Sequence, residues 1–386
     1  MSLKLLRNCV LLDPEARDPE PGSLLLEGER IASRMKNGES PPDDAERVDL
    51  GGCQIAPGFV DLHHHGSSIF AAPTGLGAAL ARDSATLLQH GTTAFLPTTV
   101  ATPAAELAAH VEALGAALDA QSLPGARALG IHLEGPWINA GAAGAQPPEG
   151  IRDFEPREAE ELLAAASGSL RMVTLAPELP GATGLLSLLA RRDVVAALGH
   201  SSATPEQVDE AVEAGASHVT HLFNAMGGMH QRAPGLAGAA LSDDRLSCDL
   251  ICDGAHVAPS WVRVAARIKA ERLLLITDRL DPEGVAAGFG SGELRSDGVA
   301  LRLADGQLAG SCVTMALAAH NAVEFGAMTQ LEAIAACTLR PARLLGLEAE
   351  IGSLRPGARA DLAVLDAGGA VAQTWLGGQC VHQPGV

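Results

Sequence analysis

Eight short apolar runs, most of them separated by amphipathic helical patterns, recur through the middle of this chain and restrict its fold more than any other feature. The runs are IAPGFVDL, TAFLPTT, ALGIHLEG, MVTLAPE, VVAALGHS, HVTHLFN, LSCDLICDG and LLLITD. Between them lie stretches such as PAAELAAHVEALGAALDA, EPREAEELLAAASG and TPEQVDEAVEAGA. The last opens with Thr204 as a helix N-cap and Pro205 at the first helical position. Alternation repeated this often predicts an α/β fold, a closed parallel (β/α)8 TIM-like barrel. An open doubly wound sheet is the competing arrangement, but no GxGxxG follows the first run.

The two ends read differently. Residues 1–54 and 345–386 consist of short strand patterns and turns, and the two predict one small β-sandwich domain built from both termini. Residues 55–344 are then the barrel domain. The net charge of −19 and the lack of a basic tract argue against nucleic-acid binding, and any anionic ligand needs a local cation. No window reaches the roughly 18 apolar residues of a membrane span. The N-terminus turns charged too soon for a signal peptide. Seven scattered cysteines, none in a CxxC pair, suit reduced thiols in a cytoplasmic protein.

In a barrel of this kind, reactive groups sit at the C-terminal strand ends. Those ends carry His63 and His65 in FVDLHHHG, Glu134, Glu178, His200, His221, His256 just past the seventh run, and Asp278. His63 and His65 share a strand face, while His64 points the other way. They suit a metal clamp, or merely a polar strand end. Glu134, His200 and His221 form a three-ligand set that leaves coordination open for water, as in catalytic sites. Asp278 is the natural proton shuttle, although a helix N-cap is its plainer role. His132, on the face of Glu134, is a supporting partner. His90, His110 and His320, within helical patterns, are read as structural or exposed, and His218 and His230, away from strand ends, as having no functional role.

At these positions the chain resembles the amidohydrolase superfamily and, within it, the N-acetylglucosamine-6-phosphate deacetylases. The motifs run nearly end to end: PGFVDLHHHG, HGTTAFLPTT, GIHLEGPWIN, LGHSSAT, THLFNAM, APGLAGAAL, DGAHV, ITD and IGSLRPGARADLAVLD. The resemblance implies metal-dependent deacetylation of N-acetylglucosamine 6-phosphate. N-acetylgalactosamine 6-phosphate, another amide, and a catalytically inactive metal-binding dimer are the alternatives. It further implies one or two divalent ions (Zn, Fe, Mn or Co), with Glu134, His200 and His221 on the first, and His63 and His65 on a second. Asp278 is the implied acid/base. The implied substrate contacts are Ala145, Gln146, Asn224, Ala225, Arg232, His256, Leu308, Ala309 and Gly310. Arg232 would reach the sugar phosphate across a homodimer interface. Three stretches depart from the family. Gln146 stands where the family usually has a substrate-contacting His, SSIF follows HHHG, and RLDPEG brings Arg279 and Asp281 near the mouth.

Overall fold

The computed structural model describes residues 3–36, 39–70, 72–120, 123–281 and 294–384. Its centre is a barrel of eight parallel strands: Phe59–Gly66, Thr92–Pro97, Ile131–Glu134, Leu170–Leu175, Val195–Leu198, Ala216–Val219, Ser247–Ile251 and Leu273–Ile276. The first two pair with each other, and the last six pair in chain order. Backbone bonds close the two remaining seams. Thr99 N donates to His132 O at 3.0 Å, and Asp278 N donates to His63 O at 2.9 Å. Both closures lie at the C-terminal rim, so they also hold the residues that line the barrel mouth.

The helices bury one apolar stripe each against this sheet. Pro205–Glu213 is typical: Val208 and Ala211 face inward, and Thr204 with Gln207 forms a reciprocal capping box at its start. Thr204 and Pro205 thus occupy the positions read from the sequence. The interior strand faces are packed with small and branched residues, which suits a chain with only 3% aromatics.

The first apolar run is two strands, not one. Gln54–Pro57 belongs to the terminal sheet, and Phe59–Gly66 begins the barrel. Gly58 separates them, and a Cβ there would lie 2.0 Å from Thr93 Oγ1. Only glycine lets the chain pass so close to the second barrel strand. A run of apolar residues cannot reveal such a change of sheet.

The termini meet in one sheet ordered Gln379–His382, Val371–Leu376, Leu362–Leu365, Gln54–Pro57, Leu3–Leu11, Glu20–Glu27 and Arg30–Lys36, with Glu46–Asp49 also pairing to Leu3–Leu11. Leu6, Leu24, Ile55, Leu362 and Trp375, drawn from both chain ends, share its buried core. The C-terminal strands therefore complete a hydrophobic layer that the N-terminal strands begin, a sandwich beside the barrel. No described helix is long and apolar enough to cross a membrane. All seven cysteines are free.

One histidine away from the barrel mouth makes stability depend on pH. His110, on the helix Ala104–Asp119, has no partner for its Nε2, and burial lowers its pKa to about 4. Below its ordinary value of about 6.5 the unfolded chain takes up a proton that the folded chain refuses. Stability from this group is therefore complete above pH 6.5 and lost as pH falls towards 4. At pH 4.5 the His110→Leu variant should recover roughly 2 kcal/mol relative to its difference from wild type at pH 7. Urea unfolding at both pH values reads this directly; parallel pH slopes would refute it.

Candidate active site

The first barrel strand sends Asp61, His63 and His65 into the barrel, while His64 packs edge-on against Phe95 on the other face. The Nε2 atoms of His63 and His65 are 3.2 Å apart. Glu134 ends the third strand. Its Oε1 lies 3.1 Å from His200 Nε2, 3.0 Å from His221 Nε2 and 3.4 Å from His63 Nε2. Its Oε2 lies 3.4 Å from His65 Nε2. Asp278 Oδ1 completes the ring at 3.1 Å from His65 Nε2 and 3.3 Å from His63 Nε2.

Backbone geometry turns three of these side chains inward. His200, His221 and Asp278 each follow a barrel strand with positive φ, at 48°, 34° and 48°. L-residues avoid this region, and each such residue costs about 1–3 kcal/mol unless its surroundings enforce it. Buried carboxylates provide the enforcement for His221 and Asp278. Asp249 accepts from His221 N and, at 3.0 Å, from His218 Nε2. Asp61 accepts from Thr277 N at 3.2 Å and Thr277 Oγ1 at 2.5 Å, bracing the turn into Asp278.

The donor set fits a divalent cation. His200 Nδ1 donates to Ala142 O and His65 Nδ1 to Thr98 O, both at 3.1 Å, because a carbonyl can only accept. Each ring thereby directs an Nε2 lone pair at the cluster. His200 and His221 Nε2 are only 3.1 Å apart. Ligands at about 2.0–2.1 Å around a tetrahedral ion are separated by roughly 3.3 Å, which matches this spacing. Two ligand groups result, Glu134 with His200 and His221, and Glu134 with His63 and His65.

The electrostatics agree. Burial alone would raise the Glu134 carboxyl, but His63 and the hydrogen bonds from His200 and His221 hold it well below the usual range. Burial likewise opposes charge on His65 and His221, yet the facing carboxylates lift them to about 10 and about 9. Buried carboxylates here require positive charge, and a cation would supply it by displacing protons.

Beside this cluster is a cavity of about 450 Å³. Ala145, Gln146, Asn224, Ala225 and His256 line it, as do Leu308, Ala309 and Gly310 from the strand Leu308–Ser311. His256 Nδ1 is fixed by Asp253 Oδ2 at 2.6 Å. Gln146 turns its amide onto Glu134 rather than leaving it open to the cavity.

Other expected residues lie apart. Glu178 accepts from Asn139, Ser201 and the Ser202 N–H, capping a loop instead of joining the ligands. Arg232 is exposed and lines no part of this cavity. Arg279 turns its guanidinium to Cys312 O, so Leu280 faces the cavity in its place. Positions 282–284 of RLDPEG lie outside the described residues. Ser67 and Ser68 of SSIF bind the Asp83 carboxylate and so anchor the loop after His65. His132 backs the His63 ring, with centroids 4.7 Å apart, and bonds Thr174.

Sequence reasoning missed Asp61, Asp249 and the pairing of His218. A signal existed for each acid. Asp61 stands two residues before His63 on the same strand face, and Asp249 interrupts the apolar run LSCDLICDG.

The Amidohydrolase family model matches residues 55–381. N-acetylgalactosamine-6-phosphate deacetylase of Escherichia coli O157:H7 is 37% identical over 328 residues, 84% of this chain and 87% of that protein. N-acetylglucosamine-6-phosphate deacetylase of Bos taurus is 35% identical over 380 residues, 94% of this chain and 89% of that protein. Among solved structures, a mutant N-acetyl-D-glucosamine-6-phosphate deacetylase from Mycobacterium smegmatis in complex with N-acetyl-D-glucosamine-6-phosphate superposes with a TM-score of 0.89. That pair is 35% identical and covers 99% of this chain and 100% of the other. Barrel, donor set and kinship therefore converge: the chain belongs to the amidohydrolase family and, within it, to the N-acetylglucosamine-6-phosphate deacetylases.

Proposed function

We propose that this protein hydrolyses the acetamide of N-acetylglucosamine 6-phosphate, giving glucosamine 6-phosphate and acetate. The observation that carries the reading is the meeting of Glu134, His200 and His221 within 3.0–3.1 Å, with Asp278 beside them at the cavity wall. Glu134, His200 and His221 would hold the principal divalent ion, Zn, Fe, Mn or Co. His63 and His65 would hold any second one. When bound, such an ion supplies a Lewis acid that acidifies water and polarises a carbonyl.

The chain's own groups do the rest. Asp278 accepts a proton from the water that attacks the acetamide carbon, then delivers it to the amine nitrogen as the C–N bond breaks. Burial would raise its carboxyl, but His63 and His65 outweigh that and bring it to about 2. His256 and Asn224 border the space for the sugar.

The substrate phosphate needs a local cation against the chain's net charge of −19, and Arg232 supplies it to the neighbouring site of a homodimer. Its exposure, away from its own chain's cavity, is consistent with this role. The free thiols suit the cytoplasm.

A second reading, N-acetylgalactosamine 6-phosphate as substrate, is favoured by the 37% identity to that deacetylase. Acetate release from both sugar phosphates and from unphosphorylated N-acetylglucosamine separates the readings. We expect N-acetylglucosamine 6-phosphate to have the highest kcat/KM. Arg232→Ala should raise KM for phosphorylated substrates about 10- to 100-fold, the worth of a charge-assisted phosphate contact, and leave the unphosphorylated sugar unaffected. Preference for the galacto sugar would select the second reading. No acetate from any of them, with metal bound, would leave an inactive metal-binding dimer.

A further inference from the structure

Gln146 is 7% exposed and makes two hydrogen bonds that together leave its amide a single orientation. The Ala101 N–H can only donate, so the oxygen it meets at 2.7 Å is Gln146 Oε1. Gln146 Nε2 must then face the other way, and it donates to Glu134 Oε2 at 2.5 Å. The two oxygens of Glu134 are thereby made unequal. Oε1 lies against His200 and His221 at 3.1 and 3.0 Å. Oε2, the oxygen nearer His65 at 3.4 Å, already carries a strong donor.

We propose that Gln146 is a positioning residue that ranks the two cation groups: its amide aims Glu134 Oε1 at the His200–His221 pair and occupies Oε2, the oxygen that faces His65 in the second group. The inference rests on the metal-dependent reading above. Both groups draw on one carboxylate, so whatever fixes that carboxylate decides which group binds more tightly. An amide suits the task because it is a donor on one side and an acceptor on the other, and it neither gains nor loses a proton at any working pH. The hydrogen bond on Oε2 also withdraws electron density from that oxygen, which weakens it as a ligand while leaving Oε1 free. A neighbour that orients a ligand in this way typically contributes ~10- to 100-fold in metal affinity.

The test is competition for zinc between the full-length, Zn²⁺-loaded protein and a chromophoric chelator of known affinity. Wild type should hold one equivalent tightly and any second at least ~10-fold more weakly, the lower bound of such a contribution. Gln146→Leu should release the first equivalent ~10- to 100-fold more readily, and Gln146→His, which keeps a ring N–H donor, should stay within about threefold of wild type. Gln146→Glu keeps the acceptor for Ala101 and exchanges the donor for a carboxylate oxygen. It should bring the second equivalent to within about threefold of the first. It gives a separate answer if the Leu variant does not fold.

The inference is overturned if Gln146→Leu holds its first zinc as wild type does, if wild type holds two equivalents equally, or if Gln146→Glu changes neither step. A wild-type protein with no zinc at all would instead remove the metal-dependent reading on which it rests.

Discussion

Asp278→Asn should lower kcat on N-acetylglucosamine 6-phosphate by about 10³-fold, within the ~10²- to 10⁴-fold range of general acid–base catalysis, with KM and bound metal within about threefold of wild type. Asparagine keeps the size of the side chain and an oxygen that can face His63 and His65, but it cannot carry a proton between water and the leaving amine. The turn that presents it is held by the backbone, through Asp278 N on His63 O and Thr277 on Asp61, so the change leaves the rim in place. Steady-state kinetics with elemental analysis of the same preparation reads all three quantities. Turnover within tenfold of wild type would show that another group moves the proton.

His221→Ala should have the second large effect, by emptying the principal metal group. Apparent zinc binding of roughly 10–16 kcal/mol shared over about four ligands gives about 3 kcal/mol each, or ~10²-fold in affinity per ligand removed. Activity should fall in proportion to metal content and return in part at high zinc. His65→Ala is the control. It leaves Glu134, His200 and His221 intact, so it should retain about one equivalent of metal while the second site is lost. Equal metal loss in the two variants would contradict the assignment of the principal ion to Glu134, His200 and His221.

Much of this architecture was legible because it is periodic. Each of the eight runs marks one barrel strand, and HHH on a strand places His63 and His65 together by alternation alone. The positions of His200, His221 and Asp278 could be read, but not how they are aimed. Each needs a positive φ, which no propensity of His or Asp announces, and the bracing carboxylates come from other strands. Gln146 was visible as a departure from the family pattern. Its bonds to Ala101 and Glu134 join residues 45 and 12 positions away, a distance over which sequence spacing carries no geometric information. The change of sheet at Gly58 was hidden for a similar reason, since what forbids a side chain there is Thr93 on the next strand.

Anomalous diffraction from crystals of protein purified without chelator would locate the ion itself. A strong peak is expected at ligand distance, about 2.0–2.2 Å, from Glu134 Oε1, His200 Nε2 and His221 Nε2 together. A fully ordered barrel mouth with no peak among those three atoms would contradict this ligand assignment.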